Sequence, residues 1–306
     1  FVRHIDSFPE EDRVLLQAVA RIVLRDVDGP LERQLVRWRQ AQPPSRTAML
    51  APMRQAPWPE TDATPSIPRS DLLFANGIGG FTQDGREYII DLPPGRHPPA
   101  PWVNVIANSR LGTVISESGS GYTWYGNAQL FRLTPWHNDA VSDPSGEVIY
   151  LRDESSGRFF SPMSWPRTSR QAYACRHGFG YSVLEHREEE LASELTMYVA
   201  VAAPVKFMVL KVKNLSARSR AIGVFACADL VLGDLRSRQA MHVVTELEPL
   251  TGAILARNSY QSEFPEAVVF FDCSETTRSV SGDRAEFLGR NGDPSNPAAL
   301  RLRHLS

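Results

Sequence analysis

Apolar residues in the first forty positions recur at helical intervals. Val14, Leu15, Ala18, Val19, Ile22 and Val23 fall on one side of a helix, and Ser7 with Glu10 has the spacing of a capping box. Asp28-Gly29-Pro30 interrupts the pattern, and Pro30 suits the first position of a second helix. Leu31, Leu35 and Trp38 then share a face at i, i+4 and i+7. The spacing predicts a helical hairpin over residues 1–42. So short a hairpin cannot bury its own apolar side, which is therefore expected to pack on another surface. Residues 43–70 lose the periodicity, and the seven prolines from Pro43 to Pro68 read as an extended surface linker.

From Asp71 the period switches to two. Short β-rich runs occur at Glu87–Ile90, Val103–Ala107, Val114–Ser116, Val148–Leu151, Tyr181–Leu184, Leu195–Val201 and Val205–Val212. Turn residues separate them, among them Asp84-Gly85, Pro93-Pro94-Gly95, Asp143-Pro144-Ser145-Gly146 and Ser156-Gly157. Many short strands with turns between them predict a large antiparallel sandwich over residues 71–306. Strands do not alternate with helices, which argues against a Rossmann or barrel architecture.

Composition changes this picture little. The net charge of −2 and pI near 6.4 give no reason to expect a nucleic-acid partner. No apolar run approaches a spanning helix, and no signal-peptide pattern is present. The chain opens at Phe1 and stops at Ser306, which reads as a piece of a longer protein. Cys175, Cys227 and Cys273 each lie in an apolar run without a CxxC pair, so they read as buried free thiols in a reducing, cytoplasmic compartment.

The chemistry concentrates between Trp102 and Arg152. Trp102, Trp124, Trp136, Tyr122, Tyr125 and Tyr150 stand there among Asn, Asp, Glu, Ser and Gly. Flat aromatic faces cover the axial hydrogens of a sugar, and short polar side chains bond its hydroxyls; aromatic-rich turns can have the same make-up. Trp124, flanked by Gly121 and Gly126, reads as a loop platform, whereas Trp102 in an alternating strand reads as packing. Arg132, Trp136, His137, Asn138 and Asp139 form the densest cluster. It offers an Arg, a His and a carboxylate beside an aromatic ring, as acid-assisted cleavage of a glycosidic bond requires. The competing reading is a connecting loop in which Asp139 accepts main-chain bonds and Arg132 pairs with an acid. His177 reads as a hydrogen-bonded structural histidine, and Glu188-Glu189-Glu190 as a solvated turn.

Other motifs carry less. Gly77-Ile78-Gly79-Gly80 lacks phosphate-loop spacing and reads as a hairpin entrance. Gly119-Ser120-Gly121 is not a nucleophile elbow. No metal site is expected: His177 and His186 have no third ligand at a usual spacing. Asp26-Val27-Asp28-Gly29 lacks the rest of a calcium loop.

The order of residues carries a resemblance. NGIGGFTQDGREYII (Asn76–Ile90), PAPWVNVIAN (Pro99–Asn108), SESGSGYTWYGNAQLFRLTPWHNDAVSDPSGEVIYLRDE (Ser116–Glu154) and RHGFGYSVLEH (Arg176–His186) occur in sequence. Weaker echoes follow at His242–Glu246, Thr251–Asn258 and Glu286–Gly292. From about Asp71 onward the chain resembles the N-terminal domain of the cellobiose and chitobiose phosphorylase-like enzymes, formerly grouped in glycosyltransferase family 36. It most resembles the phosphorylase-like region of bacterial cyclic β-1,2-glucan synthases. The resemblance implies a mainly β, galactose mutarotase-like super-β-sandwich. It implies a parent enzyme, in a synthase one anchored at the bacterial inner membrane, that cleaves β-glucosidic bonds by inverting phosphorolysis to α-glucose 1-phosphate.

In that family the catalytic acid lies in a C-terminal (α/α)6 barrel, absent here. The resemblance therefore implies that this chain is inactive alone, with no catalytic residue and no cofactor; inorganic phosphate is a co-substrate of the parent. Its expected partners are a β-glucan oligosaccharide, the barrel and a second subunit in a homodimer. Its expected contact residues are Trp124, Arg132, Trp136, His137, Asn138 and Asp139. Two alternatives stay open. One is a structural dimerisation domain without sugar affinity. The other is a mutarotase-like epimerase, pairing a Glu base from Glu117, Glu147 or Glu185 with a His acid from His97, His137, His177 or His242.

Overall fold

A computed structural model describes residues 8–20, 23–40, 71–139, 141, 144–167 and 169–305. The chain divides into two compact units, Phe1–Met49 and Leu50–Ser306. The first holds α1 (Glu10–Val19) and α2 (Leu31–Gln40). Glu10, Glu11 and Asp12 fill the first turn of α1, where carboxylates face the positive end of the helix dipole. Pro9 holds the N-cap position of α1, and the expected cap at Ser7 lies outside the described residues, as do Ile22 and the linker over residues 43–70. The Pro30 carbonyl accepts the Gln34 N–H, so Pro30 precedes the second helix rather than opening it. The Gln34 side chain bonds both main-chain groups of Arg25 and the Gly29 carbonyl, which fixes the connection. Within this unit Val14, Leu15 and Leu31 are not covered, at 62%, 61% and 57% exposed, as expected of a hairpin too short to bury its own apolar side.

The second unit is built on antiparallel strands. The largest sheet runs β1 (Gly79–Phe81), β2 (Glu87–Leu92), β8 (Tyr173–Gly178), β9 (Tyr181–Glu188), β10 (Leu191–Val199) and β11 (Lys206–Asn214), each strand paired with the next. A single register row, Ile90, Cys175, Leu184, Leu195 and Leu210, crosses five of these strands. Side chains alternate faces along a strand. The next-but-one register neighbours therefore share this inner face, and β10 buries Leu191, Ser193, Leu195, Met197 and Val199 in strict alternation. On the opposite face Glu185, Glu194 and Lys211 line up in register, and the Arg176 guanidinium bonds Glu87 and lies 3.1 Å from Glu185.

Three smaller sheets complete the unit. They are β3 (Val103–Ala107), β4 (Leu111–Ser116) and β5 (Gly121–Tyr125); β12 (Ile222–Ala228), β6 (Glu147–Asp153) and β7 (Phe159–Phe160); and β13 (Val244–Leu247), β14 (Ile254–Arg257) and β15 (Val268–Phe271). Tyr150, Phe131, Ile115 and Met163 join the inner row of the large sheet in one core. Short α4 (Arg284–Leu288), capped by the Asp283 carboxylate, adds Phe287 and Leu288 to it. The buried Arg152 donates to the carbonyls of Leu300 and Leu302 and so clasps the last described segment. The mainly β, antiparallel architecture expected from the period-two pattern is therefore present.

Several local expectations change. Cys175 is buried, but Cys273 is exposed beyond the end of β15. Glu188 is not solvated: it is 3% exposed, with its carboxylate on His186 Nε2 and the Ser169 hydroxyl, and Glu189 pairs with Arg158. Of that triplet only Glu190 is exposed.

Candidate functional site

The outer face of the β3–β4–β5 sheet gathers much of what the sequence singled out. Strand alternation turns Val103 and Val105 outward, 48% and 61% exposed, while Ile106 points into the core. Tyr122 and Trp124, two apart on β5, share that outer face. Trp124 therefore sits on a strand, not in the expected loop. Its indole lies against Gly112, where an added Cβ would come within 2.2 Å of the ring, so the glycine makes room for the tryptophan. The Tyr122 ring lies 5.2 Å from Trp124 and 4.9 Å from Trp136, both tilted. Tyr122 is the centre of this aromatic group and, though noted among the aromatics, was not among the expected contact residues. Its i, i+2 spacing from Trp124 was the available signal. Burial raises the Tyr122 phenol above its ordinary range, with Arg132 opposing, so its hydroxyl remains a donor.

The cluster Arg132–Asp139 divides in two. Arg132 does not project from an edge. Its main chain pairs with Gly233 in both directions and bridges to Trp124. Its guanidinium lies 5.8 Å over the Tyr122 ring and donates to the carbonyls of Ala128 and Asp234. Arg132 thus binds main chain rather than an acid, and it fixes the rim of the aromatic group. Leu133, Thr134 and Pro135 continue inward and are buried. Trp136 is half-buried, and His137, Asn138 and Asp139 are exposed. Asn138 takes a left-handed φ of 49°, and the Asp139 carboxylate accepts the Val141 N–H, which sets the shape of the exposed tip.

Beneath this sheet lies a buried polar node. Glu147 accepts from the hydroxyls of Thr123 and Thr134 at 2.6 and 2.7 Å and from Lys206 Nζ at 2.5 Å. Lys206 also donates to Thr113. The node ties β4, β5, β6 and β11 together. Burial pushes the Glu147 carboxyl up, but the Lys206 charge and hydrogen bond and the two hydroxyls outweigh it and hold the group below its ordinary range.

Of the residues that a Glu–His acid–base pair would draw on, Glu117, Glu147, Glu185, His177 and His242 are engaged elsewhere, while His97 and His137 are exposed. Glu117 accepts the Trp102 N–H at 2.7 Å. His177 Nε2 donates to the Trp102 carbonyl at 3.2 Å, and its Nδ1 accepts from Ser182. Glu147 holds the node just described, and Glu185 faces Arg176. His242 stacks on Tyr260. Among the described residues no group of three or more His, Cys, Asp or Glu could hold a metal ion, and no helix is long and apolar enough to cross a membrane.

Comparison with known proteins bears on this arrangement. The profile of the supersandwich domain of glycosyl hydrolase 94 matches residues 86–306. The cyclic beta-(1,2)-glucan synthase NdvB of Rhizobium meliloti (strain 1021) is 37% identical over 231 residues, 75% of this chain and 8% of that protein. The N,N'-diacetylchitobiose phosphorylase of Vibrio proteolyticus is 28% identical over 72% of this chain. The solabiose phosphorylase of Paenibacillus borealis is 29% identical over 73% of it. The chain spans 28% and 30% of those two phosphorylases.

Proposed function

The chain belongs to the glycosyl hydrolase 94 family, and we propose that its supersandwich is a non-catalytic saccharide-contact and assembly module of a β-glucan-acting enzyme. The relatives comprise a cyclic β-1,2-glucan synthase and several disaccharide phosphorylases. In this reading a separate helical barrel supplies the acid for phosphorolysis, and the sandwich supplies an edge of the site. The observation that carries it is the exposed tip His137-Asn138-Asp139, raised beside Trp136 at the margin of the Tyr122–Trp124 face. Such a tip is anchored by buried aromatic and main-chain contacts, yet it leaves an imidazole, an amide and a carboxylate toward solvent. Commitment of Glu117 and His177 to the Trp102 main chain supports a non-catalytic role over a mutarotase-like one. Arg132, already bonded to two carbonyls, is not a prepared phosphate ligand.

The test uses the barrel-bearing enzyme and the 306-residue chain side by side. His137→Ala with Asp139→Ala should shift the chain's stability by under ~0.5 kcal/mol, as exposed positions do. The same pair should lower kcat/KM of the enzyme roughly tenfold or more, equivalent to about 1.4 kcal/mol of transition-state stabilisation. Unchanged kcat/KM would remove the tip from the site.

A further inference from the structure

Trp102 is not packed into the core. Its ring stacks on Tyr88 with centroids 4.6 Å apart and planes parallel, and Phe81 meets Tyr88 in a T-shaped contact at 4.9 Å. Yet Trp102 is 44% exposed. With one indole face covered by Tyr88, exposure of that size leaves the other face open to solvent. Phe81 beside it is 41% exposed.

The main chain that carries the ring is also held. Glu117, itself 5% exposed, accepts the Trp102 N–H, and His177 donates to the Trp102 carbonyl. A carbonyl can only accept, so His177 carries its proton on Nε2 and receives the Ser182 hydroxyl on Nδ1. Burial lowers the His177 pKa, consistent with a neutral ring in this one tautomer. Both peptide groups of an outward-facing tryptophan are thus fixed by side chains from β8 and the β4–β5 turn. Asn76 Nδ2 donates to the Tyr88 hydroxyl at 3.1 Å, which steadies the ring beneath the indole. An open indole face, backed on its other side by Tyr88, suits the apolar face of a pyranose; aromatic rings bind through such faces with little loss of side-chain freedom.

We propose that Trp102, backed by Tyr88 and Phe81, is a second saccharide platform of this sandwich, taking one glucosyl ring of a β-linked gluco-oligosaccharide. The proposal rests on the saccharide-contact reading above and places a ring away from the Trp136–Asp139 tip.

Indole N–H resonances of the 306-residue chain test it. Trp102, Trp124 and Trp136 are assigned by single Trp→Phe variants, and a β-1,2-linked glucohexaose is titrated in. The expected result is a saturable shift of the Trp102 resonance. Trp102→Ala should weaken binding by roughly tenfold or more, while Trp102→Phe, which keeps a flat face, retains most of it. An unchanged melting temperature in Trp102→Phe guards against loss of folding. A shift at Trp136 with none at Trp102 overturns the platform and leaves the tip reading standing. A shift at neither overturns the platform and removes saccharide binding by the isolated chain. A Trp102 resonance that moves on dilution of the protein but not with saccharide marks a contact between copies and also overturns it.

Discussion

Replacing Lys206 by Met converts a satisfied buried node into a buried carboxylate with no cation. Both side chains of the Lys206–Glu147 pair are 12% exposed, so solvent cannot stand in for the ammonium. Removing one partner of such a pair typically costs ~3–5 kcal/mol. The Thr123 and Thr134 hydroxyls still bond the carboxylate, which places the expected loss at pH 7 near the lower figure, about 3 kcal/mol. For a unit of this size that is a fall of roughly 6–12 °C in Tm.

The pH dependence gives the sharper signature. In the native protein Glu147 lies below its ordinary value, so its contribution is present above the unfolded pKa of about 4.3 and is lost as pH falls through the folded pKa. In Lys206→Met the lowering charge is gone and burial dominates, so the folded pKa rises above the unfolded one. The variant's deficit is then greatest at neutral pH and shrinks as Glu147 takes up a proton on acidification. Adding Glu147→Gln should recover part of the loss at pH 7 and flatten its pH dependence. Urea unfolding of the three proteins at intervals from pH 4 to 8 measures this. A deficit under ~1 kcal/mol that does not vary with pH would show that the node does not hold the sheets together.

Other expectations follow from single contacts. Gly112→Ala should displace the Trp124 indole and cost about 1–3 kcal/mol, seen as lower Tm and altered tryptophan fluorescence. Arg152→Ala should strip the Leu300 and Leu302 carbonyls of their donor, and hydrogen exchange should show loss of protection first in residues 298–302. Only Cys273 should react promptly with a thiol reagent in the native chain: burial raises Cys175 far above the ordinary thiol range, and pushes Cys227 up to about 12. Native protein should therefore titrate one fast thiol, and unfolded protein all three.

Much of the architecture was legible in the sequence because strand alternation survives in it. Val103–Ala107 was read with its observed bounds, and the turn at Asp84-Gly85 joins β1 to β2 as expected. Most of the misreadings fall on residues chosen for contacts distant in the chain. Gly112 admits the Trp124 ring, and Gly121, read as a loop marker, instead opens β5 where a Cβ would strike the Val114 carbonyl. Glu188 looked solvated because it stands in a run of three glutamates, yet it ends β9 on the same buried face as His186 and also takes the Ser169 hydroxyl. Trp102 has the parity of the inward residues Asn104 and Ile106, but it precedes β3 and meets Tyr88 instead of the core. The stretch Arg132–Asp139 stands out in the sequence as a dense polar and aromatic run. Its division into a buried half at Arg132 and an exposed half at His137–Asp139 depends on pairing with Gly233, a hundred residues on, which no local pattern reveals.

The central claim is that this sandwich assists a glycan-cleaving enzyme without performing the chemistry. The most direct measurement is release of glucose 1-phosphate from β-1,2-glucan and inorganic phosphate by the purified 306-residue chain, beside the barrel-bearing enzyme. If the sandwich only assists, the enzyme turns over and the chain does not. Turnover by the chain that a substitution at Glu117, His137, His177 or Asp139 abolishes would contradict it.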